Sequence, residues 1–295
     1  MKKILIIGIL AFMLIMPIIG ATNTTNETLK SKNSNFINGE DFTHTVGVEY
    51  VTTTNCGYCP TASNQLNSIY NSGDYDFYFV TFVSDQNSWI WSRVQELGTL
   101  SVPDVFFDGG FVNLVGAQVD ETPYRNAIVN SGERIVPDLD MDVSVDFMGG
   151  GTLKINVDIQ NNEAEDYNGI LKVYVVEKES RWNDVQGHPY HFGALGIPID
   201  DSLAVPQGHP TPIGDSYNFK KTWFGAIFGF SDITEDNIMV IAVIYDSETG
   251  YAVQTAAAEP TSTTPQFHLF ENIKFFQLIK EKNLIFKILD LIEKI

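Results

Sequence analysis

The clearest periodicity in the chain begins after Pro137. Leu139, Met141, Val143, Val145 and Phe147 alternate with Asp138, Asp140, Asp142, Ser144 and Asp146. A period of two places alternate side chains on opposite faces, so this segment predicts a strand with one buried and one wet face. Gly149-Gly150-Gly151 marks a turn, and Leu153, Ile155, Val157 and Ile159 alternate back. Further strands are predicted at Ile170–Val176, Tyr217–Trp223, Ile238–Tyr245 and Tyr251–Ala257, with Asp246–Gly250 as a tight turn between the last two. Strands without intervening helices predict an all-β, immunoglobulin-like sandwich over residues 137–259. The stretch from Arg181 to Ser216, rich in Pro, Gly and His, reads as a long irregular segment of the kind that often carries function. The aspartate row reads as a solvated strand face, with calcium binding as the alternative.

Residues 40–136 have a different pattern. Val46–Val51 is β-rich, and Ala62, Leu66, Ile69 and Tyr70 follow at helical spacing. Phe77–Val83 is a nearly continuous apolar run, as in a strand buried on both faces. Ser84 or Asp85 is expected to cap a helix carrying Trp89, Ile90, Val94 and Leu97 and closed by Gly98. Val105-Phe106-Phe107 predicts another strand, and Thr122 to Gly132 a last helix with Pro123 in its first turn. The predicted order is strand, helix, strand, helix, strand, strand, helix, an α/β arrangement whose first two strands are parallel.

Between the first strand and helix lies Cys56-Gly57-Tyr58-Cys59-Pro60, which holds the chain's 2 cysteines. A cross-link stabilises most when it closes a long loop, so a bridge spanning two residues is a poor staple. It is better suited to thiol–disulfide exchange, in which the second thiol resolves a mixed disulfide formed by the first. A cysteine at a helix N-terminus meets unpaired N–H groups and the positive end of the dipole, both of which favour a thiolate. Cys56 is therefore expected as the exposed nucleophile and Cys59 as the buried resolving thiol. Zinc is one rival, with His188 and His191 as the nearest approach to a second ligand pair, although a structural site needs four ligands. An inert local disulfide is another.

These residues resemble the thioredoxin-like superfamily. Besides the cysteine motif, Ser101-Val102-Pro103-Asp104 precedes an apolar strand where that family carries a cis-proline packed against the cysteine pair. The resemblance implies that Pro103 shapes the groove, and that Gly57, Tyr58 and Val102 line the path of an extended client peptide. Two departures stand out. Asn55 occupies the family's usual Trp position, and the family's buried acid falls near Tyr50, with Glu49 as the nearest carboxylate. Glu49 is expected either to take the proton from Cys59 or to be an exposed strand residue. The chain as a whole resembles outer-membrane-associated secreted bacterial proteins with a thioredoxin-like half followed by a β-sandwich. The β-half likeness rests on Tyr217-Asn218-Phe219, Ile241–Asp246 and Tyr251–Ala256.

The ends and the charge extend the reading. Met1-Lys2-Lys3 followed by an apolar run to Ile19 and Gly20-Ala21 reads as a secretory signal peptide over residues 1–21, with an uncleaved anchor as the alternative. Residues 22–39 read as a polar, disordered linker and 260–266 as a second linker. Residues 267–295 read as an amphipathic helical tail suited to a membrane surface, to dimerisation or to the protein's own surface. The location is therefore expected to be secreted or extracytoplasmic, with or without membrane association, where disulfides persist. A formal charge of −19 argues against nucleic acid as a partner. The function expected is an extracytoplasmic protein thiol–disulfide oxidoreductase needing no cofactor. Its partners would be protein thiols or disulfides and a redox-recycling protein. The alternatives are a surface binding or assembly protein on the same scaffold, and metal delivery through the two thiolates.

Overall fold

The computed structural model of the chain describes residues 42–207 and 217–261. The signal peptide, both linkers except the start of the second, the helical tail, His209 and His268 lie outside the described residues. The first half has the expected order. It comprises β1 (Val46–Thr52), α1 (Cys59–Ser72), β2 (Phe77–Val83), α2 (Trp91–Leu97), β3 (Asp104–Phe107), β4 (Val112–Val115) and α3 (Thr122–Gly132). Seven strands follow: β5 (Leu139–Gly149), β6 (Thr152–Asn161), β7 (Tyr167–Asn183), β8 (Pro189–Val205), β9 (Tyr217–Phe224), β10 (Ile238–Asp246) and β11 (Ala252–Ala258). No helix among the described residues is long and apolar enough to cross a membrane.

The local chemistry explains the first-half elements. Pro60 sits in the first turn of α1, whose N–H groups have no intrahelical acceptor in any case. Gly73 and Gly98 end α1 and α2 in the left-handed conformation that glycine adopts without steric cost. The cap ahead of α2 differs from expectation. Asn87, not Ser84 or Asp85, accepts the Trp89 N–H, at 3.0 Å, and opens a short 3₁₀ turn leading into α2. Ser84 and Asp85 are engaged elsewhere.

The largest correction concerns the boundary at Pro137. A self-contained sandwich was expected beyond it, but the sheet runs across it. One mixed eight-stranded sheet has the order β11-β10-β7-β8-β2-β1-β3-β4, and a three-stranded sheet has the order β5-β6-β9. β1 and β2 are parallel, β1–β3 and β3–β4 antiparallel, and β8 joins β2 through the pair Thr81 and Gly193. Among the described residues of the supposed irregular stretch after Arg181, most belong to strand β8. Its signal is diluted by Gly, Pro and Asp, and its pairing with β7 shifts register three times, which breaks a strict period of two.

Strand β10 shows why the halves join. Met239, Ile241, Val243 and Tyr245 belong to the core shared with β1, β2 and α1, whereas Ile238, Val240, Ala242 and Ile244 belong to the core shared with β5 and β6. An apolar run without alternation is what burial on both faces requires. The outer face of β5 carries Asp140, Asp142 and Ser144 exposed, as a solvated strand face demands.

Candidate functional site

The parallel register of β1 and β2 pairs Thr52 with Val83, and the antiparallel register of β1 and β3 pairs Val51 with Asp104. One end of the sheet therefore collects the segment after β1, which carries the cysteines, the segment after β2, and Pro103 before β3. Cys56 and Cys59 are disulfide-bonded, and the Val102–Pro103 peptide bond is cis. Cys59 is the first residue of α1, and Cys56 lies three residues ahead of it. The Cys59 N–H donates to Cys56 Sγ at 3.1 Å, so one of the helix's unpaired donors points at the first sulfur. Cys56 is 9% exposed and Cys59 0%, which keeps the expected ranking but makes Cys56 far less open than a free surface nucleophile. Gly57 and Tyr58 are exposed beside it, Pro103 is buried and Val102 packs at the rim of the core.

The segment leading to Cys56 is held by side chains from three strands or their ends. Ser84 donates from Oγ (3.0 Å) and from its backbone N–H (2.9 Å) to the Thr52 carbonyl. Asp85 accepts the Thr54 N–H at 3.0 Å and also the Thr54 hydroxyl. Burial works against the Asp85 charge, but the Thr54 hydrogen bonds hold its carboxyl below the usual carboxylate range. Tyr190, from β8, accepts from Thr52 Oγ1 at 2.9 Å and donates to the Thr53 carbonyl at 3.0 Å. That same carbonyl accepts the Cys56 N–H at 3.3 Å. On the helix side, Tyr50 Oη donates to the Cys59 carbonyl at 2.9 Å, and burial raises the Tyr50 phenol well above its ordinary pKa.

Glu49 is not part of this corner. Adjacent strand residues face opposite sides, so if Tyr50 points to α1, Glu49 points away from it. Its carboxylate accepts Arg93 Nε at 2.7 Å, Arg93 Nη2 at 2.8 Å and the Tyr174 hydroxyl at 2.9 Å. Both readings of Glu49 are therefore corrected: it does not adjoin Cys59, and at 2% exposure it is not a surface residue. The guanidinium of Arg93 also lies 4.4 Å from the Tyr245 ring centroid and pairs with Glu96 at 3.0 Å. Burial opposes the Arg93 charge, but Glu49 and the neighbouring tyrosines more than offset it and hold its pKa above the ordinary value. Beside Pro103, Asp104 is buried and receives the Asn113 amide at 2.6 Å, and burial pushes its carboxyl upward.

His188 and His191 form no metal cluster with acidic or cysteine side chains among the described residues. His191 is half-buried, and burial lowers its pKa. The residues missed in the sequence are Tyr50, Thr53, Ser84, Asp85 and Tyr190. For Tyr50 a signal was present, since a polar-tipped residue occupies the position where the resembled family buries an acid. For Tyr190 there was none, because its contact with Thr53 spans 137 positions.

No family model matches this chain, and no curated protein matches it. Among solved structures it is similar to a structural-genomics protein from Agrobacterium tumefaciens, at 16% identity over 78% of this chain and 100% of that one, with a TM-score of 0.44. It is also similar to a domain of the outer membrane lipoprotein Omp28 from Porphyromonas gingivalis, at 9% identity over 43% of this chain and 91% of that one, with a TM-score of 0.23. A Bacteroides uniformis β-glucuronidase shares 11% identity over 40% of this chain, a match spanning 12% of the enzyme, with a TM-score of 0.24.

Proposed function

We propose that this chain is an extracytoplasmic thiol–disulfide oxidoreductase acting on protein cysteines through Cys56 and Cys59, with the first half as a thioredoxin-like domain. The observation that carries the reading is the Cys59 N–H donating to Cys56 Sγ at the start of α1. A donor aimed at that sulfur stabilises a thiolate there once the bridge is reduced. The strand order β2-β1-β3-β4, with β1 and β2 parallel, supports the thioredoxin-like assignment.

In the reducing direction, the Cys56 thiolate attacks one sulfur of a client disulfide. A mixed disulfide forms, and the other client sulfur leaves as a thiolate. Cys59 loses its proton to solvent base and attacks Cys56 Sγ, which reforms the Cys56–Cys59 bond and releases the second client thiolate. Two electrons pass to the client, and a dithiol donor protein restores the pair. The oxidising direction runs the same steps backwards, with a disulfide donor as the recycling partner. The test is turnover of a disulfide-bonded protein substrate by wild type, Cys56→Ser and Cys59→Ser. Cys56→Ser is expected to abolish turnover and Cys59→Ser to accumulate mixed disulfides. Full turnover by Cys56→Ser would refute the reading.

A second reading, a surface binding or assembly protein, is supported by a different observation. Trp89, Phe224 and Ile227 are exposed and line, with Phe228 and Pro198, a mostly apolar hollow of about 270 Å³. That reading expects a Cys56–Cys59 bridge that is stable and catalytically silent.

A further inference from the structure

Tyr190 lies in the second half of the chain, yet its hydroxyl ends on the loop that carries Cys56. It is 0% exposed and stacks edge-on near Tyr50, with ring centroids 6.3 Å apart. We infer that Tyr190 is a positioning residue for Cys56: its hydroxyl fixes the Thr53 carbonyl, which in turn holds the Cys56 backbone so that Sγ stays in front of the Cys59 N–H. The inference rests on the redox reading given above and adds to it that the β-half supplies part of the redox site.

The chain of contacts is continuous. Thr52 Oγ1 donates to Tyr190 Oη at 2.9 Å, Tyr190 Oη donates to Thr53 O at 3.0 Å, Cys56 N–H donates to Thr53 O at 3.3 Å, and Cys59 N–H donates to Cys56 Sγ at 3.1 Å. Because Thr52 fills one lone pair of the phenol oxygen, the phenol proton is directed to Thr53. A carbonyl held between two donors on different elements has little freedom to rotate, and the turn from Thr53 to Cys56 inherits that restraint. The ionisable groups facing Tyr190 are Tyr50, Asp184 and Asp85. Burial, helped by Asp184 and Asp85 and opposed by the Thr52 hydrogen bond, pushes the phenol up to about 12, so it stays a donor throughout the working pH range. Strand β8 is in place because Thr81 Oγ1 donates to the His191 carbonyl at 2.6 Å and Asn87 Nδ2 donates to the Ala194 and Leu195 carbonyls at 2.8 and 3.1 Å.

Removing the phenol hydroxyl alone would leave the buried Thr52 hydroxyl without its acceptor and cost stability for reasons unrelated to Cys56. Replacing both partners by apolar groups of the same shape avoids that cost. The experiment therefore compares wild type, Tyr190→Phe and the double variant Thr52→Val/Tyr190→Phe. The readouts are urea stability, the thiol–disulfide equilibrium with glutathione, and the pH profile of Cys56 alkylation after reduction.

Tyr190→Phe is expected to be less stable, and the double variant to recover that stability. Both are expected to shift the equilibrium toward the intramolecular disulfide by about fivefold, the equivalent of one hydrogen bond, and to move the alkylation profile to higher pH. The sign follows from the thiolate: a less supported Cys56 thiolate destabilises the reduced form. A stable double variant with wild-type equilibrium and profile would overturn the positioning role while leaving the redox reading intact. A wild-type bridge that does not exchange with glutathione at all would overturn the redox reading, and the positioning role with it.

Discussion

The two faces of β1 use polar chemistry in different ways. On the face toward α1, Tyr50 and Thr52 hold the cysteine segment through neutral hydrogen bonds to the Cys59 carbonyl and to Tyr190. On the opposite face, Glu49 joins Arg93, Tyr174 and Tyr245 in a buried charged network between the halves of the sheet. The neutral face sets the geometry of the segment that carries the Cys56–Cys59 bond. The charged face ties β1 to β7 and β10 in the second half of the chain. One strand with a period of two thus separates a site from its foundation.

The largest effect is expected on the charged face. Glu49→Ala leaves the Arg93 guanidinium buried without its bidentate partner, and loss of one member of such a pair costs about 3–5 kcal/mol. Urea unfolding is expected to register a loss of that order. Adding Arg93→Leu is expected to recover much of it, since an apolar replacement of both ions removes the stranded charge. A single Glu49→Ala variant as stable as wild type would show that the network bears no weight.

The neutral face is expected to be gentler. Tyr50→Phe removes one hydrogen bond to the Cys59 carbonyl and should cost about 1 kcal/mol in the same assay. A loss as large as that of Glu49→Ala would erase the distinction between the faces.

The smallest effect concerns pH. The folded-state pKa of Asp85 is depressed by its Thr54 hydrogen bonds, so its hold on the loop is fully present above the ordinary Asp value of about 3.9 and is lost as pH falls through the lower folded value. The Thr54 amide resonance is expected to stay constant from neutral pH down to about 4 and to move only below it, within the carboxylate range. In Asp85→Asn that acid transition should disappear. An unchanged transition in the variant would assign it to another group.

Local signals in the sequence carried much of the first half. Cys59-Pro60 opens α1, Gly73 and Gly98 close helices, and Phe77–Val83 is a buried strand, because each of these depends on near neighbours. In the second half, the alternation of β5 and β6 was equally legible. The joining of the halves was not. Val240 and Ile241 face different cores, yet a continuous apolar run does not say which partners cover its two sides. Glu49 was misread for the same reason, since its partner Arg93 lies 44 positions away on a helix whose other residues gave no sign of a buried charge. The cysteine motif was plain, but the side chains that hold it come from β1, from the end of β2 and from β8, and only the folded chain brings them together.

The most direct test of the account is the reduction potential of Cys56–Cys59 in the purified protein, equilibrated against glutathione and dithiothreitol. A value between about −120 and −270 mV, in the range of disulfide-exchange proteins, is expected. A bridge that stays closed well below about −300 mV would be a structural disulfide and would contradict the redox function.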